Sequence, residues 1–338
     1  MPDRRGWTSF LFVVGFLALT SSVRAQAWLP PAGEAYFSLS YGNVFITEHY
    51  LGTPTDPGDN VPSNRGHIRS QSVGAEVGYA ITNRWEVAFG LPFVDAKWYQ
   101  FEGAGRPHDP HIDNGEYHGT FQDYHLTVLF QLVRDPVALT PFVSAVIPSH
   151  DYQYFAHAAA GRDLREYTLG FNIGGNLDRL VPGAYVQARY SYAFVEKVFV
   201  ETIGSIRHDR SNGALELGYF VTPSIGVRFL ATGFYTHGGL VFTQPADYGT
   251  PLDATNPVFL HHDQVGHDSA LSLGGGLSYA LTGSIDAYAT YLRTIVGHGG
   301  HKVDNGFAFG VSWGFSPKRV IRNVFGPRSP GREPPPRP

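Results

Sequence analysis

The 338-residue chain has no cysteine and a single methionine. Without cysteine, neither disulfide bonds nor thiolate chemistry can hold the fold or drive a reaction. Beyond an apolar stretch near its start, no run is long enough for a transmembrane helix, and the mean hydropathy is slightly negative. If the chain crosses a membrane, it must do so with strands. Charge of one sign is also missing. With 25 Lys and Arg against 29 Asp and Glu, the net charge of −4 is too mild to imply a nucleic-acid partner. No serine stands in the strand-to-helix elbow of a hydrolase nucleophile, so the reading is not an enzyme, and no cofactor is implied.

What is present is glycine and aromatic residues: 40 Gly, 24 Phe and 19 Tyr, which suit an all-β chain with aromatic girdles. The segment Asn305 to Phe315 carries Phe307, Phe309, Val311, Trp313 and Phe315 on one parity and Gly306, Ala308, Gly310, Ser312 and Gly314 on the other. Successive strand side chains point to opposite faces, so one face is large and apolar and the other small. A soluble sandwich strand can look like this, but so does a strand tilted through lipid.

The same alternation recurs along the chain. It covers Ala35 to Thr47, Gln71 to Ala80, Trp85 to Leu91, Tyr124 to Leu132, Thr140 to Ile147 and Tyr167 to Ile173. It returns at Val186 to Phe194, Leu215 to Tyr219, Val227 to Ala231, Leu271 to Tyr279 and Ile285 to Tyr291. The connections alternate in length. Short turns such as Ile81 to Arg84, Thr222 to Ser224 and Thr282 to Ser284 trade places with long polar stretches. Those stretches are Glu48 to Arg69, Gly103 to Gly119, His150 to Asp163, Glu196 to Asn212, Thr236 to Ser269 and Gly297 to Asp304. This rhythm predicts an antiparallel, up-and-down transmembrane β-barrel of about twelve strands, with long extracellular loops and short periplasmic turns. Pro92 and Pro141, which cannot donate to a ladder, are expected at strand ends or rims.

Three regions follow. Residues 1–25 read as a signal peptide: Arg4 and Arg5, an apolar core from Phe10 to Leu19, and a small-residue cleavage site ending at Ala25. Residues 26–315 form the barrel, placed by this reading in the outer membrane of a Gram-negative envelope. Residues 316–338 are a basic, proline-rich tail expected to be disordered in the periplasm. Phe315 then serves as the terminal aromatic by which the outer-membrane assembly machinery engages the barrel. The remaining partners are membrane lipid and a small solute.

Charges within spanning strands must face a polar interior. Parity therefore assigns Glu76, Glu86, Gln187, Arg189, Glu216, Arg228 and Asp286 to the lumen. They read equally as pore-lining groups and as a salt-bridged network filling a narrow barrel. The fifteen histidines fall in the long loops or at adjoining strand ends, often directly before Asp. Imidazole with carboxylate suits borderline divalent metals. The candidates are His261, His262, Asp263, His267 and Asp268, with His108 and His111 near Asp113, and His298 with His301 as a further pair. No spacing matches a known metal motif, and a hydrogen-bonding, titratable surface explains the same residues. His125 and Asp123 on one strand face read as a lumen hydrogen-bond pair rather than as catalytic groups.

Residues Val73 to Val94, with Ala-Ile-Thr-Asn-Arg-Trp between two alternating runs and Leu-Pro-Phe at the end, resemble a hairpin of the phenol-degradation meta-pathway outer-membrane family. Leu273 to Phe315, with Gly-Leu-Ser-Tyr-Ala-Leu-Thr and Gly-Val-Ser-Trp-Gly-Phe, is similar to that family's closing strands. Pro148-Ser149-His150 departs from its usual Pro-Thr-Gly, and the basic tail beyond Phe315 departs from a barrel ending at its last aromatic. The resemblance implies an outer-membrane transporter, a porin-like protein passing small, often hydrophobic or aromatic compounds. Metal capture at the mouth and a closed structural barrel are the alternatives.

Overall fold

The computed structural model describes residues 27–50, 62–99, 107–201, 203–241 and 261–317. The signal-peptide segment 1–25 and the tail from 318 onward lie outside the described residues. The elements in chain order are β1 (Ala35–Tyr50), β2 (Pro62–Ala80), β3 (Trp85–Tyr99), β4 (His118–Phe121) and β5 (Asp123–Phe130). Next come β6 (Val137–Pro148), β7 (Glu166–Asn176), β8 (Ala184–Val195), β9 (Val198–Val200), β10 (Gly204–Ile206), β11 (His208–Thr222) and β12 (Ile225–Gly238). The series closes with a one-turn helix, α1 (His262–Val265), then β13 (Ser269–Ala280), β14 (Ile285–His298) and β15 (His301–Phe315).

These make a closed antiparallel barrel of twelve staves, β4 and β5 counting as one because both pair with β3. The seam is the ladder between the first and last strands, from Ala35↔Phe315 up to His49↔His301. β9 and β10 form a separate hairpin among the long loops. Among the described residues no helix is long and apolar enough to cross a membrane. The crossing is made by strands.

The outer surface is an apolar belt. Phe37, Leu39 and Tyr41 on β1, Trp85, Phe89 and Phe93 on β3, and Phe307, Phe309, Val311 and Trp313 on β15 are all exposed, while Ser38, Ser40, Ala308 and Ser312 face inward and are buried. The alternation expected of Asn305 to Phe315 is thus the one observed. Gly310-Val311-Ser312-Trp313-Gly314 spells Gly-x-Ser-x-Gly, yet it lies wholly within β15 with Ser312 buried. It makes no turn, so it is not a nucleophile elbow.

The short-turn end repeats one device. In the turns at Thr82, Thr222 and Thr282, the threonine Oγ1 accepts hydrogen bonds from the backbone N–H groups two and three residues on, at 3.0–3.2 Å. This side-chain turn satisfies donors that a tight reversal would leave exposed.

Three expectations are corrected. The strands run well beyond their apolar alternation: β1 reaches Tyr50 rather than Thr47, and β2 starts at Pro62 rather than Gln71. Outward residues turn polar at Asn43, Gln71, Lys97 and Asn305, but the ladders continue past them. Hydrophobic periodicity marks where the bilayer ends, and hydrogen bonding does not stop there. The supposed loop Gly297 to Asp304 is a two-residue turn, Gly299 and Gly300, with Gly299 at φ 64° where a side chain would be strained. Pro92 and Pro141 sit inside β3 and β6, not at their ends. Each lies beside a lapse in a ladder. The break between β4 and β5 lets the Gln122 N–H reach the Pro92 carbonyl at 3.0 Å, and pairing of β5 with β6 skips from Leu129↔Phe142 to Val133↔Leu139.

Inside the wall, three tyrosines lie over glycines directly opposite them on a neighbouring strand: Tyr36 over Gly78, Tyr185 over Gly218 and Tyr288 over Gly310. Glycine leaves the depression that each ring fills, so the rings lie along the wall instead of across the lumen. Gly78→Val would put a side chain inside the Tyr36 ring, and overpacking of this kind costs ~1–3 kcal/mol. Gly175, with nothing within 4 Å of an added Cβ, takes alanine with a change within ~0.5 kcal/mol. Urea unfolding of the reconstituted barrel, followed by tryptophan fluorescence, should separate the two variants in that order.

Candidate functional site: the lumen and its mouth

The seven lumen residues expected from parity all sit on inward-facing positions of their strands. Tyr36 donates its hydroxyl proton to Glu76 at 2.7 Å, and Tyr185 does the same to Glu216 at 2.6 Å. Arg228 reaches the other Glu216 oxygen at 3.4 Å and Thr290 at 2.8 Å. Arg189 lies over the Phe142 ring, 3.9 Å from its centroid, and donates to Asn172 at 3.4 Å. Glu86, which is buried, and Asp286 sit near the short turns at the base. The wall thus carries two carboxylate–tyrosine pairs and two guanidinium groups of opposite sign.

The N-terminal segment enters the short-turn end. The Leu29 N–H donates to Gln131 Oε1 at 2.9 Å, and the Ala27 N–H to Gln187 Oε1 at 3.2 Å. The Ala27 carbonyl accepts from Gln131 Nε2 at 2.9 Å and from Thr140 Oγ1 at 2.7 Å. Arg134 donates to the Leu29 carbonyl at 3.2 Å. Gly174 allows the approach, because an added Cβ would meet the Ala27 and Trp28 side chains at 2.7 Å. Gln131, Thr140 and Asn172 were not among the expected lumen residues. Strand parity puts them on the inner face, but a reading weighted to charge passes over neutral amides and hydroxyls.

Toward the long-loop end the lining changes character. Above the polar outer rim, inward positions become apolar: Val44, Ile46, Ile68, Ala96, Trp98, Leu292 and Ala308 bury one another, with Ala158 and Ile112 coming in from the loops. The alternation therefore inverts outside the bilayer. There the outer surface meets water and the inner surface meets folded loops.

The loops are pinned by acidic and basic side chains. Buried Asp113 accepts from the His108 N–H at 2.8 Å, the His157 N–H at 3.1 Å and the Ala158 N–H at 3.0 Å, so one carboxylate ties the segments 107–117 and 149–165 together. Asp123 accepts the Tyr152 hydroxyl at 2.7 Å. Burial, then the neighbouring Asp123 charge, pushes the Tyr152 phenol well up and keeps it a donor. The expected pairing of His125 with Asp123 is not among the contacts observed; His125 Nε2 is buried without a hydrogen-bond partner. Arg162 pairs with Glu166, and Arg210 lies 3.5 Å from Asp268.

Of the expected metal candidates, His108, His262 and Asp263 come together, their donor atoms lying within 4.8 Å of one another, and His108 also meets Asp113 at that spacing in a second group with His157. His261 stacks on Tyr154 and bonds Gln264 at 2.8 Å. His267 bonds the Gly238 carbonyl at 2.5 Å, Asp268 is committed to Arg210 and Thr236, and His111 is exposed. Three histidines that the sequence reading did not join to His108 and His262 complete the group. The His157 ring is 3.6 Å from that of His108, and His49 is 4.4 Å from His301 and 6.0 Å from His157. His49 lies six residues above the polar rim at Asn43. Burial first, then repulsion among the surrounding imidazoles, holds it well below the usual histidine range.

No family model and no curated protein matches the chain. Among solved structures, the COG4313 outer membrane channel from Pseudomonas putida F1 is similar over 87% of this chain and 100% of that chain, with a TM-score of 0.63 and 13% identity. The NanC porin is a looser likeness, at 82% and 98% coverage, a TM-score of 0.46 and 11% identity. At 13% identity, what the COG4313 channel shares with this chain is the fold.

The mouth has a pH signature of its own. On β11 the exposed belt runs from Tyr219 to Leu215, and by Ser211 the outward face is polar, so His208 stands above the membrane. It is fully buried there, and burial followed by the Arg162 and Arg210 charges holds its imidazole down to about 4. An unfolded histidine titrates near 6.5, so the neutral buried ring favours the folded mouth fully above that pH. The contribution, ~3 kcal/mol, is lost as pH falls from 6.5 to about 4. The exchange protection of the described amides in 195–201 and 203–210, taken relative to the intrinsic exchange rate at each pH, should fall over that interval, and His208→Leu should flatten the change.

Proposed function

We propose that the protein is an outer-membrane channel through which small solutes pass passively. The observation that carries this reading is a closed transmembrane barrel whose inner wall holds Glu76, Arg189, Glu216 and Arg228. Ionic groups at membrane depth call for water or a polar permeant beside them. The channel-like fold likeness and the family resemblance of the Val73 to Val94 hairpin point the same way. Residues 1–25 would direct export, the long loops would face outward, and the strand ending at Phe315 would be read by the assembly machinery.

The wall and the family resemblance together narrow the cargo. The half near the short turns presents both carboxylates and guanidiniums, which argues against strong selection of either ion charge. The apolar half near the long loops, Trp98 included, is covered by the loops and does not line a passage. The family resemblance adds small, often hydrophobic or aromatic compounds as the class of solute. The segment Ala27 to Leu29 would act as the inner constriction, and the folded loops as the outer one.

Single-channel recording in planar bilayers tests the reading directly. The intact barrel should conduct, and a variant lacking residues 27–32 should conduct several-fold more, because the constriction held by Gln131 and Thr140 is gone. Absence of conductance together with absence of solute flux in proteoliposomes would sink the channel reading. In a flux panel of aromatic acids, alkanes and sugars, the aromatic acids should pass fastest. Arg228→Gln leaves Glu216 without its cation, and its reversal potential in a salt gradient should move toward cation selectivity.

A further inference from the structure

Five histidines from distant parts of the chain form a continuous set of ring contacts inside the mouth: His301 with His49, His49 with His157, His157 with His108, and His108 with His262. The ends of β1 and β15, the two loop segments pinned by Asp113, and α1 supply them. His49 Nδ1 is buried without a hydrogen-bond partner. Asp113 accepts backbone N–H groups on both sides of the contact between His108 and His157, which fixes those two rings in place.

We propose that the mouth binds one borderline divalent metal ion of the zinc(II) class through His108, His262 and Asp263, with the fourth position left to solvent. Imidazole with one carboxylate is the donor chemistry such ions take, and oxygen-seeking calcium or magnesium would not select it. The donor atoms of His108, His262 and Asp263 lie within 4.8 Å of one another. Tetrahedral zinc, with bonds of about 2.0–2.1 Å, wants its donors roughly 3.4 Å apart, a closure that side-chain rotation can provide. His262 Nε2 and Asp263 Oδ1 are already 3.2 Å apart. The ion would join α1 to the segment 107–117, which Asp113 already ties to the segment 149–165.

The test uses the full-length barrel in detergent, stripped with chelator and titrated with zinc chloride at neutral pH. About one zinc per chain should bind, and His108→Ala, His262→Ala and Asp263→Asn should each weaken binding at least ~10-fold. His111→Ala and His267→Ala, which alter histidines outside the set, should bind as the parent does. Cobalt(II) loaded into the unaltered chain should give the visible absorption of a four-coordinate nitrogen and oxygen site, a readout independent of how any variant folds. No uptake by the parent, uptake that persists in His108→Ala and His262→Ala alike, or equal loss in His111→Ala would overturn the site. None of these readouts is a conductance, so the site and the channel reading can fail separately.

Discussion

The bilayer gives a backbone N–H or C=O nothing to bond with, so a strand that enters it must be paired on both edges. The ladder from Ala35↔Phe315 to His49↔His301 meets that requirement by joining the first strand to the last. Everything else about the molecule follows from having no open edge. Parity becomes a strict division between lipid and lumen, which is why the stripe Phe307, Phe309, Val311, Trp313 and the run Gly306, Ala308, Gly310, Ser312 can differ so completely. Proline is then tolerated only where a ladder lapses, as beside the break between β4 and β5.

Closure also creates an inside that must be filled or kept wet. Near the short turns this is done with polar groups in mutual contact: Tyr36 on Glu76, Tyr185 on Glu216, and Arg228 between Glu216 and Thr290. Tyrosines fit against the wall because glycines stand opposite them. The N-terminal segment enters at that end and exchanges its backbone hydrogen bonds with Gln131, Thr140 and Gln187. At the other end the strands leave the membrane, and the inner wall becomes a hydrophobic seat for the loops.

Much of the barrel is legible from residue order, because alternation with period two is a local property and survives without knowledge of neighbours. Twelve staves, the short turns and the inward placement of Glu76, Arg189, Glu216 and Arg228 could all be read that way. The true strand ends could not. β2 continues nine residues below Gln71, to Pro62, through sequence with no apolar stripe, and only its pairing with β1 and β3 keeps it extended. The histidines show the same limit. Neighbours in sequence such as His261, His262 and His267 point to different partners, whereas His49 and His301, from opposite ends of the chain, touch across the seam.

The sequence by itself determined the class of structure and the side of the wall on which each strand residue falls. Those depend on steric alternation and on the cost of charge in lipid, and both act residue by residue. The tertiary structure alone decided which side chains meet. Barrel closure brings residues about 250 positions apart into contact at the seam, and the loops fold onto an inner wall that exists only once the barrel is closed. That is why the Asp113 clasp, the Gln131 hub and the joining of five histidines at the mouth could not be read from the linear chain, although His108, His262 and His301 stood among its candidates.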